Sequence, residues 1–562
     1  MKNPLPYIIL AFIALLPLLD LLHPGIPRGH DTPDHVARIA NFYLSLSEGN
    51  LVPRWAGNLN WGYGHPILMF LYPLPSYIAS VFHAIGFSFI DSTKLVFAAS
   101  YLASILAMFL FAKSAWGLWP GFVAAVLYGF APYRFVDLYV RGALGEHVAF
   151  IFPPLILYGL LQLAKNNRRS GVGAIIAISM AGLILSHNAV ALMMLPLVFL
   201  YSAYLVFFEV KDKFRFLVLG AWCLVLGFLL SAFFWMPAFF EGKYTLRDIV
   251  TKGDVTSRFV PWQWFFISPW NYGGGGEFTK ELGAIQWIGL FGSAVLFIRT
   301  KARTVRWFIV GCIGVVVISL FLMTAGAAGI WQHVTILQKF QFPWRLLNIP
   351  AIVIPVVSAM VLAQSRTCMH RFAAVLIALL AVVSTVYMWR SPQYVVKPDE
   401  YYRGIYNGTT DTGESSPIWS IRFMEKQAAA YYEVVEGTAA IQAGPRNSTR
   451  HEFTVSATTP ARIVDNTLYF PGWTVTVNGK ILDSVRDVLY QDPNYRGLMT
   501  FRVPSGDHRV VVHFGDTKLR KVANSISLMG LLLLLIGFAP LSLRPTSRIP
   551  IEKTLDPGSS PG

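Results

Sequence analysis

The sequence contains few charged residues for its length. Asp, Glu, Lys and Arg make up 14% of its 562 residues, whereas typical soluble domains are about 25% charged. Hydrophobic residues make up 54%, and the mean hydropathy is +0.51. This composition excludes a disordered, collagen-like or ordinary cytosolic protein. Because the apolar residues also form runs of roughly 17 to 22 residues, long enough for helices to cross a bilayer, the sequence predicts a multi-spanning membrane protein.

Cysteine is also scarce, with only Cys223, Cys312 and Cys368 in the whole chain. Two of them lie in apolar runs and the third in a short basic segment. No pair has the spacing of a CxxC metal site or indicates a disulfide. Cysteine chemistry is therefore not expected. The lack of disulfide pairs and of an organelle-targeting signal favours the plasma membrane of a prokaryote.

Twelve apolar runs predict twelve transmembrane helices. The first run lacks a small-residue cleavage site, so we expect a retained anchor rather than a removed signal peptide. A further run at 66–86 is long enough to cross, but a single crossing there would invert all later loops. Its prolines also disfavour a regular helix, and a re-entrant or interfacial segment is predicted. The twelve predicted spans are 5–22, 93–112, 118–133, 146–164, 171–186, 189–208, 214–236, 282–298, 307–328, 347–363, 371–389 and 522–543.

The positive charge is concentrated on one side of these spans. The connecting segments alternate between short basic ones and longer aromatic ones that are rich in Gly and Pro. The basic set, together with Lys2, holds 17 Lys and Arg against four acids, which places +13 of the net charge of +16 on that side. The excess of Lys and Arg marks the cytoplasmic side, so both termini are predicted to be cytoplasmic. Nucleic-acid binding, which the basic pI alone would allow, loses its main support.

Three of the segments predicted to lie outside are long. The last of them is long enough for a folded domain, and its strand-like alternation, divided by Asn478-Gly479 and other turn signals, predicts a β-sandwich. The final span would hold this domain to the membrane, and the Pro-, Gly- and Ser-rich tail is predicted to be disordered. The predicted parts are a transmembrane domain 1–389 with outer loops 23–92 and 237–281, a β-rich outer domain 390–521, the span 522–543 and the tail 544–562.

The first outer loop contains acids at the start of a predicted helix. Thr32 is predicted as its N-cap, with apolar residues following at helical spacing up to Gly49. Asp31 precedes this helix, whose N-terminus favours an ionised carboxylate, and a carboxylate fixed at the membrane rim suits a general base. The alternatives are a solvated capping acid for Asp31 and a first-turn helix acid for Asp34. His30 and His35 with Asp31 form a weak candidate site for a divalent metal.

Other outer segments carry further candidates. Glu146 opens a span and faces Arg141 across a short turn, as a second site carboxylate or as one half of an interfacial salt bridge. His187 lies in a tight outer turn, where it either contributes to the site or simply interrupts a hairpin. Arg345 is a positive residue on the outer side, which a lipid-linked phosphate or a buried ion pair would explain.

An aromatic loop in 237–281 is the last candidate. It contains three tryptophans and four consecutive glycines, in the order SRFVPWQWFFISPWNYGGGGEF. Aromatic rings such as Trp270 and Tyr272 can stack on sugar faces, and the glycines allow a mobile lid. An aromatic belt at the membrane interface is the alternative.

Several blocks of the sequence resemble YfhO-type membrane proteins and the related family labelled "6-pyruvoyl-tetrahydropterin synthase-related". These blocks are GHDTPDH, LVPRWAGNLNWGYGHPILMFLYPLPSYI, RGALGEHVAF, QFPWRLLN and LYFPGWTVTVNGK. They occur in order over most of the chain, although each is short. The soluble pterin enzyme in that label implies nothing here, since no group of residues suits pterin chemistry.

This group is similar to the GT-C glycosyltransferases, which implies a GT-C-like helical fold with a common module of seven membrane helices. The apolar runs likewise give seven of the twelve predicted spans before the outer loop 237–281. The similarity also implies inverting transfer of a sugar from a polyprenyl-phosphate-linked donor to an envelope glycan, lipid or protein on the outer face. By position, Asp31 would be the base, Glu146 with Arg141 a second site element, and Arg345 the holder of the donor phosphate. The adjacent acidic pair common in such enzymes is missing, so the base stays open between Asp31 and Asp34. Rival functions are a flippase or transporter for lipid-linked sugars and a non-catalytic scaffold for envelope polymers.

Overall fold

Long apolar helices dominate the computed structural model, which describes residues 4–165, 171–250, 258–273, 277–365 and 367–538. Within these residues, nine helices are long and apolar enough to cross a membrane. They are Leu5–Leu22, Phe89–Trp116, Leu144–Ala164, Asn188–Phe208, Lys213–Leu230, Arg303–Leu322, Pro343–Ala363, Met369–Met388 and Lys518–Gly537. Three shorter apolar helices are Leu118–Gly129, Val172–Ser186 and Ala284–Arg299. The predicted polytopic helical fold is confirmed; the count of twelve crossings stays a prediction because these three are short.

Short helices connect and flank the apolar ones. The α-helices among them are Thr32–Ser47, Ile67–Phe70, Leu74–Ala84, Pro132–Phe135, Ala232–Phe240, Arg247–Val250, Ala328–His333, Thr335–Gln338 and Asp399–Arg403. Turns of 3₁₀-helix occupy Asn60–Gly62, Gly242–Tyr244, Trp262–Phe265, Ala325–Ala327 and Pro493–Tyr495, and a π-helical turn occupies Val136–Arg141.

Small residues let the helices in the centre of the molecule approach closely. Phe89–Trp116 packs along Leu118–Gly129, where a side chain at Gly129 would come within 2.6 Å of Ile105. The Tyr101 hydroxyl donates to the Gly129 carbonyl at 3.0 Å across this contact. Such close backbone approach is typical of helices packed in a membrane, where apolar burial alone gives no preference for a neighbouring helix over lipid.

The run 66–86 is broken, as its prolines predict. It forms the helices Ile67–Phe70 and Leu74–Ala84, separated by extended backbone at Leu71. Neither helix approaches the roughly 20 residues that a crossing needs.

The helix Thr32–Ser47, called the rim helix below, confirms the predicted helix in the first outer loop but not its start. Its N-cap is Asp31, one residue earlier than predicted, and the Asp31 side chain makes no capping hydrogen bond. Thr32 is instead buried, and its hydroxyl accepts from the Gly29 N–H at 3.0 Å. Both flanks of the rim helix are covered, since polar His35 and Arg38 are as buried as its apolar side chains.

Ten strands complete the described fold. A five-stranded antiparallel sheet has the order β4-β5-β10-β7-β8, a three-stranded one the order β3-β6-β9, and β1 pairs with β2. The strands are β1 Ile26–Pro27, β2 Tyr394–Val395, β3 Tyr432–Glu436, β4 Ala439–Arg446, β5 Arg450–Ala457, β6 Ala461–Leu468, β7 Trp473–Val477, β8 Lys480–Ile481, β9 Leu498–Val503 and β10 Gly506–Phe514.

The two larger sheets face each other as a sandwich. Phe453 of β5 stacks on Tyr432 of β3 with ring centroids 3.9 Å apart. The β7–β8 hairpin turns at Asn478 and Gly479, with φ of 49° and 81°, as expected for the two-residue turn that an Asn-Gly pair favours. The predicted β-rich region is therefore confirmed, while its limits at 390 and 521 stay predicted. The predicted disordered tail, 544–562, lies outside the described residues.

Ion pairs connect two outer loops to the start of the last apolar helix, which follows the sandwich. Arg520, at the start of the last apolar helix, bonds Glu241 at 2.8 Å. Arg54 of the first outer loop bonds Asp516 at 2.6 Å, directly before that helix. The first loop, the 237–281 loop and the last helix are thus joined at one place.

Candidate active site

Glu146 lies at the centre of a buried polar cluster. It belongs to the first turn of Leu144–Ala149, and its side chain is 1% exposed. Its Oε1 accepts from Arg141 Nη2 at 2.7 Å and lies 3.2 Å from Arg345 Nε and 3.8 Å from His187 Nε2. The structure therefore brings four of the eight predicted site residues together, from three separate segments of the chain.

The sequence did not predict three further members of this cluster. Tyr133 and Asn348 donate to Glu146 Oε2 at 2.9 and 3.1 Å. Asp137 accepts from Arg141 Nη1 at 2.6 Å and is fully buried. A buried charge is tolerated only when it is paired and hydrogen-bonded, and two arginines with two acids meet that requirement here. The predicted Arg141–Glu146 salt bridge is present, within a larger network.

A tight turn holds the first outer loop against this cluster. Gly142 has φ of 64°, and a Cβ there would lie 2.2 Å from the Thr32 hydroxyl. The amides of His30 and Asp31 donate to the carbonyls of Val140 and Arg141, both at 3.0 Å. Asp31 is thereby fixed by its backbone to the residue that binds Glu146.

The two candidate bases have different environments. Asp31 is exposed, and its carboxylate has no hydrogen bond or ion pair within the described parts of the chain. Asp34 is partly buried and accepts from the Tyr406 hydroxyl at 2.9 Å. Burial raises the pKa of Asp34, and the Tyr406 bond and the charge of Arg38 oppose that rise. Asp34 therefore holds the rim helix to residue 406, whereas Asp31 is open to a ligand.

Tyr72 packs against the Glu146 cluster through His187. Its ring stacks on His187 with centroids 4.8 Å apart, and a side chain at Gly145 would overlap it. Burial raises the pKa of Tyr72 to about 12, and the charges of Asp31, Glu146 and Arg345 all act on its hydroxyl. The exposed carboxylate and the buried cluster thus lie within electrostatic range of one phenol.

Arg345 faces both the cluster and the outside. Its Nη1 donates to the Phe340 carbonyl at 3.2 Å and to Gln341 Oε1 at 3.0 Å, while its Nε faces Glu146. Its side chain is 15% exposed, and among the described residues its Nη2 has no hydrogen-bond partner. Its Nε and Nη1 are therefore held by groups of the protein, and its Nη2 is available to an anion.

The predicted aromatic residues border the first loop. The Tyr272 carbonyl accepts from His30 Nε2 at 3.1 Å, and its hydroxyl donates to the Arg390 carbonyl at 2.8 Å. Trp270 packs edge-on against Tyr272 at 5.8 Å. Of the four glycines that follow, residues 274–276 lie outside the described residues.

Lys280 is a further buried cation that the sequence analysis missed. It is 2% exposed and lies 3.8 Å from the centroid of the Phe278 ring. Burial and the nearby charge of Arg141 lower the pKa of Lys280 to about 7. In the sequence, only the position of Lys280 after an apolar loop could have indicated that it is buried.

The weak metal candidate is not assembled in the described residues. His30 bonds the Tyr272 carbonyl, and His35 accepts from Arg38 Nη1 at 2.9 Å. No group of three or more His, Cys, Asp or Glu side chains within the described ranges has the arrangement of a metal site.

Comparisons with known proteins give distant likenesses. No protein-family model matches the chain. A protein of Lactococcus lactis subsp. cremoris (strain MG1363), described as uncharacterized, is 28% identical over 262 residues, which are 45% of this chain and 42% of that protein. The chain thus matches only about two fifths of the relative's length. The resemblance to YfhO-type and pterin-synthase-related proteins is not shown by these comparisons and stays a prediction.

Three solved structures are similar in fold at low identity. They are the arabinofuranosyltransferase AftD from Mycobacteria (TM-score 0.46, 14% identity, 69% of this chain and 27% of that one), ArnT from Cupriavidus metallidurans bound to undecaprenyl phosphate (0.38, 14%, 71% and 67%), and the oligosaccharyltransferase of Archaeoglobus fulgidus (0.40, 16%, 74% and 61%). The chain spans about a quarter of AftD. Because all three TM-scores are below 0.5, the functional assignment depends on the site geometry.

Proposed function

We propose that the protein is a membrane glycosyltransferase that moves a sugar from a polyprenyl-phosphate-linked donor to an acceptor on the outer face. The observation that carries this proposal is an exposed Asp31, whose side chain has no partner among the described residues, beside a buried arginine cluster. The two are joined by the backbone bond from Asp31 to Arg141. Acceptor activation needs a carboxylate open to solvent, and departure of a phosphate needs fixed positive charge. The carboxylate and the arginine cluster meet these two requirements in one region, since the charges of both act on the Tyr72 hydroxyl.

The proposed reaction is a single displacement. The Asp31 carboxylate takes the proton of the acceptor hydroxyl as its oxygen attacks the anomeric carbon. The bond from that carbon to the phosphate oxygen breaks, and the lipid phosphate leaves with the electron pair. The anomeric centre is inverted, and no protein nucleophile is needed.

Arg345 is the proposed phosphate ligand. Within the described residues its Nη2 is open, while its Nε faces Glu146 and its Nη1 donates to the Gln341 side chain, so the guanidinium is oriented before the donor binds. Fixed donors lose little freedom during the reaction, which makes their electrostatic effect large. Arg141, buried between Glu146 and Asp137, orients the cluster rather than contacting the donor.

A glycan analysis of the cell envelope tests this function. A deletion strain is complemented with the wild-type protein, with Asp31→Asn, or with Glu425→Gln as a matched control; Glu425 is an acid with a 76% exposed side chain in the third outer segment. We expect the deletion to lose a sugar that the wild type and Glu425→Gln restore and Asp31→Asn does not. Full restoration by Asp31→Asn contradicts the proposal and favours the scaffold or transporter function.

A further inference from the structure

A second cavity lies outside the candidate active site, between the first outer loop and the β-sandwich. It has a volume of about 160 Å³, which is small for a site that encloses a whole ligand and suits a shallow groove that contacts part of one. We call it the outer groove. Its walls include Trp61, Tyr63, Ile405, Gln427, Tyr431 and Asn466.

The chemistry of the outer groove restricts its ligand. Charges of opposite sign border the groove, since Arg446 lies 4.4 Å from the centroid of the Tyr431 ring and Glu433 accepts from the Asn466 amide. None of the residues that line the groove itself is charged. Instead it combines aromatic rings with the side-chain amides of Gln427 and Asn466 and a run of alanines at 428–430. Rings with one flat apolar face and amides that both donate and accept are the groups that suit a sugar, which has apolar faces and a rim of hydroxyls.

The backbone at the groove is held in an unfavourable conformation. Asn60 and Trp61 have φ of 54° and 61° in succession, a region that bulky side chains rarely adopt. Their amides donate to the carbonyls of Gly408 and Tyr406 at 2.8 and 2.9 Å. Strained residues held by their surroundings are concentrated at binding sites, and this strain places the Trp61 ring in the groove wall.

The opposite wall is also fixed. The Asn466 amide group donates to the Ala430 carbonyl and to Glu433 Oε1, both at 2.8 Å, and its backbone N–H donates to the Tyr431 carbonyl at 2.9 Å. The Tyr431 side chain is 51% exposed. The groove is therefore formed before any ligand arrives, which limits the entropy that binding must overcome.

We propose that the outer groove binds a neutral oligosaccharide, whose sugar faces stack on Trp61 and on the face of Tyr431 that Arg446 leaves open. Its hydroxyls bond the Gln427 amide and donate to Asn466 Oδ1, since both Asn466 N–H groups are already used. The segment 404–410 connects the groove to the active site: Ile405 lines the groove, and the next residue, Tyr406, donates to Asp34 on the rim helix. The role of the outer groove in holding the acceptor rests on the proposed function, whereas the binding of a sugar by the groove does not.

Direct binding measurements on the purified full chain test the groove. The probes are neutral hexose oligomers, the same oligomers ending in a carboxylate, and an uncharged peptide, all without a lipid-linked donor. The variants are Tyr431→Ala and Trp61→Gly, since glycine adopts positive φ without strain and thus removes only the ring. Phe423→Ala is the control, because Phe423 is 44% exposed in the same outer segment but does not line the groove.

We expect the wild type, Phe423→Ala and Asp31→Asn to bind the neutral oligomers equally, and Tyr431→Ala and Trp61→Gly to bind about tenfold more weakly. If Asp31→Asn still binds the oligomers, sugar binding by the groove holds whether or not the proposed function is correct. The proposal is overturned if no neutral oligomer binds, if both groove variants bind as the wild type does, or if the peptide or the acidic oligomers bind better.

Discussion

At the residue scale, the central distinction is between the two acids of the first loop. Asp31 is exposed, and its side chain has no partner in the part of the chain that the structure describes, whereas Asp34 accepts from the Tyr406 hydroxyl. The two acids are three residues apart in sequence, but their environments differ. We therefore propose Asp31 for proton transfer and Asp34 for holding the rim helix.

Substitutions at Asp34 should affect stability rather than chemistry. Asp34→Asn keeps an oxygen for the Tyr406 hydroxyl and removes a charge whose burial raises the pKa. We expect it to retain activity and thermal stability, while Asp34→Ala loses about 1 kcal/mol through the lost bond. Thermal unfolding and transfer rates of both variants check this. An inactive but stable Asp34→Asn protein would make Asp34 the base instead.

Loss of the Glu146 charge should destabilise the fold. Glu146→Gln leaves Arg141 and Arg345 with one carboxylate, Asp137, where there were two. Removing one partner of a buried ion pair costs roughly 3–5 kcal/mol. We expect a lower midpoint of thermal unfolding in detergent, with Glu425→Gln as the surface control. Equal midpoints would show that the cluster contributes no stability.

Lys280 should make stability depend on pH. The pKa of Lys280 is lowered to about 7 in the folded protein and is close to 10.4 in the unfolded chain. Between these two pH values, Lys280 is protonated more often in the unfolded chain than in the folded protein. Stability from this residue therefore rises between pH 7 and 10 and is lowest below pH 7. Unfolding midpoints measured across this range should rise less steeply in Lys280→Met than in the wild type. Parallel curves would contradict the shifted pKa.

At the element scale, the turn at Gly142 holds the first outer loop against the Glu146 cluster. Gly142→Ala puts a Cβ 2.2 Å from the Thr32 hydroxyl and should displace Asp31. Gly86→Ala is the matched control, because Gly86 has φ of 110° but open space around it. Both variants incur backbone strain because an alanine is placed at positive φ, yet only Gly142→Ala should abolish sugar transfer. Similar activity in the two variants would show that this contact does not position the site.

Local sequence signals predicted some elements well and others not at all. Apolar runs and Asn478-Gly479 predict their helices and hairpin because the cause lies within a few residues. Arg141 and Glu146 are five residues apart, so their pairing could also be anticipated. The bond from Tyr406 to Asp34 spans 372 residues, and no local pattern reports it. The N-cap was misplaced by one residue because the Thr32 hydroxyl is used by Gly29 rather than by the helix.

At the scale of the whole molecule, the charge distribution predicts the orientation in the membrane. Lys211 lies in a basic connecting segment and Glu425 in the third outer segment, and both are exposed. In intact cells, a membrane-impermeant maleimide should label Glu425→Cys, and Lys211→Cys only after permeabilisation. The opposite pattern would invert the predicted topology and place the candidate site in the cytoplasm.

The most direct test of the account is acceptor-dependent release of polyprenyl phosphate by the purified chain in liposomes. A panel of polyprenyl-phosphate sugars serves as donors, and the wild type is compared with Asp31→Asn and Glu425→Gln. We predict release by the wild type and Glu425→Gln, and a rate roughly 10²–10⁴-fold lower for Asp31→Asn. Equal rates for the wild type and Asp31→Asn would contradict the claim that Asp31 is the base of a glycosyl transfer.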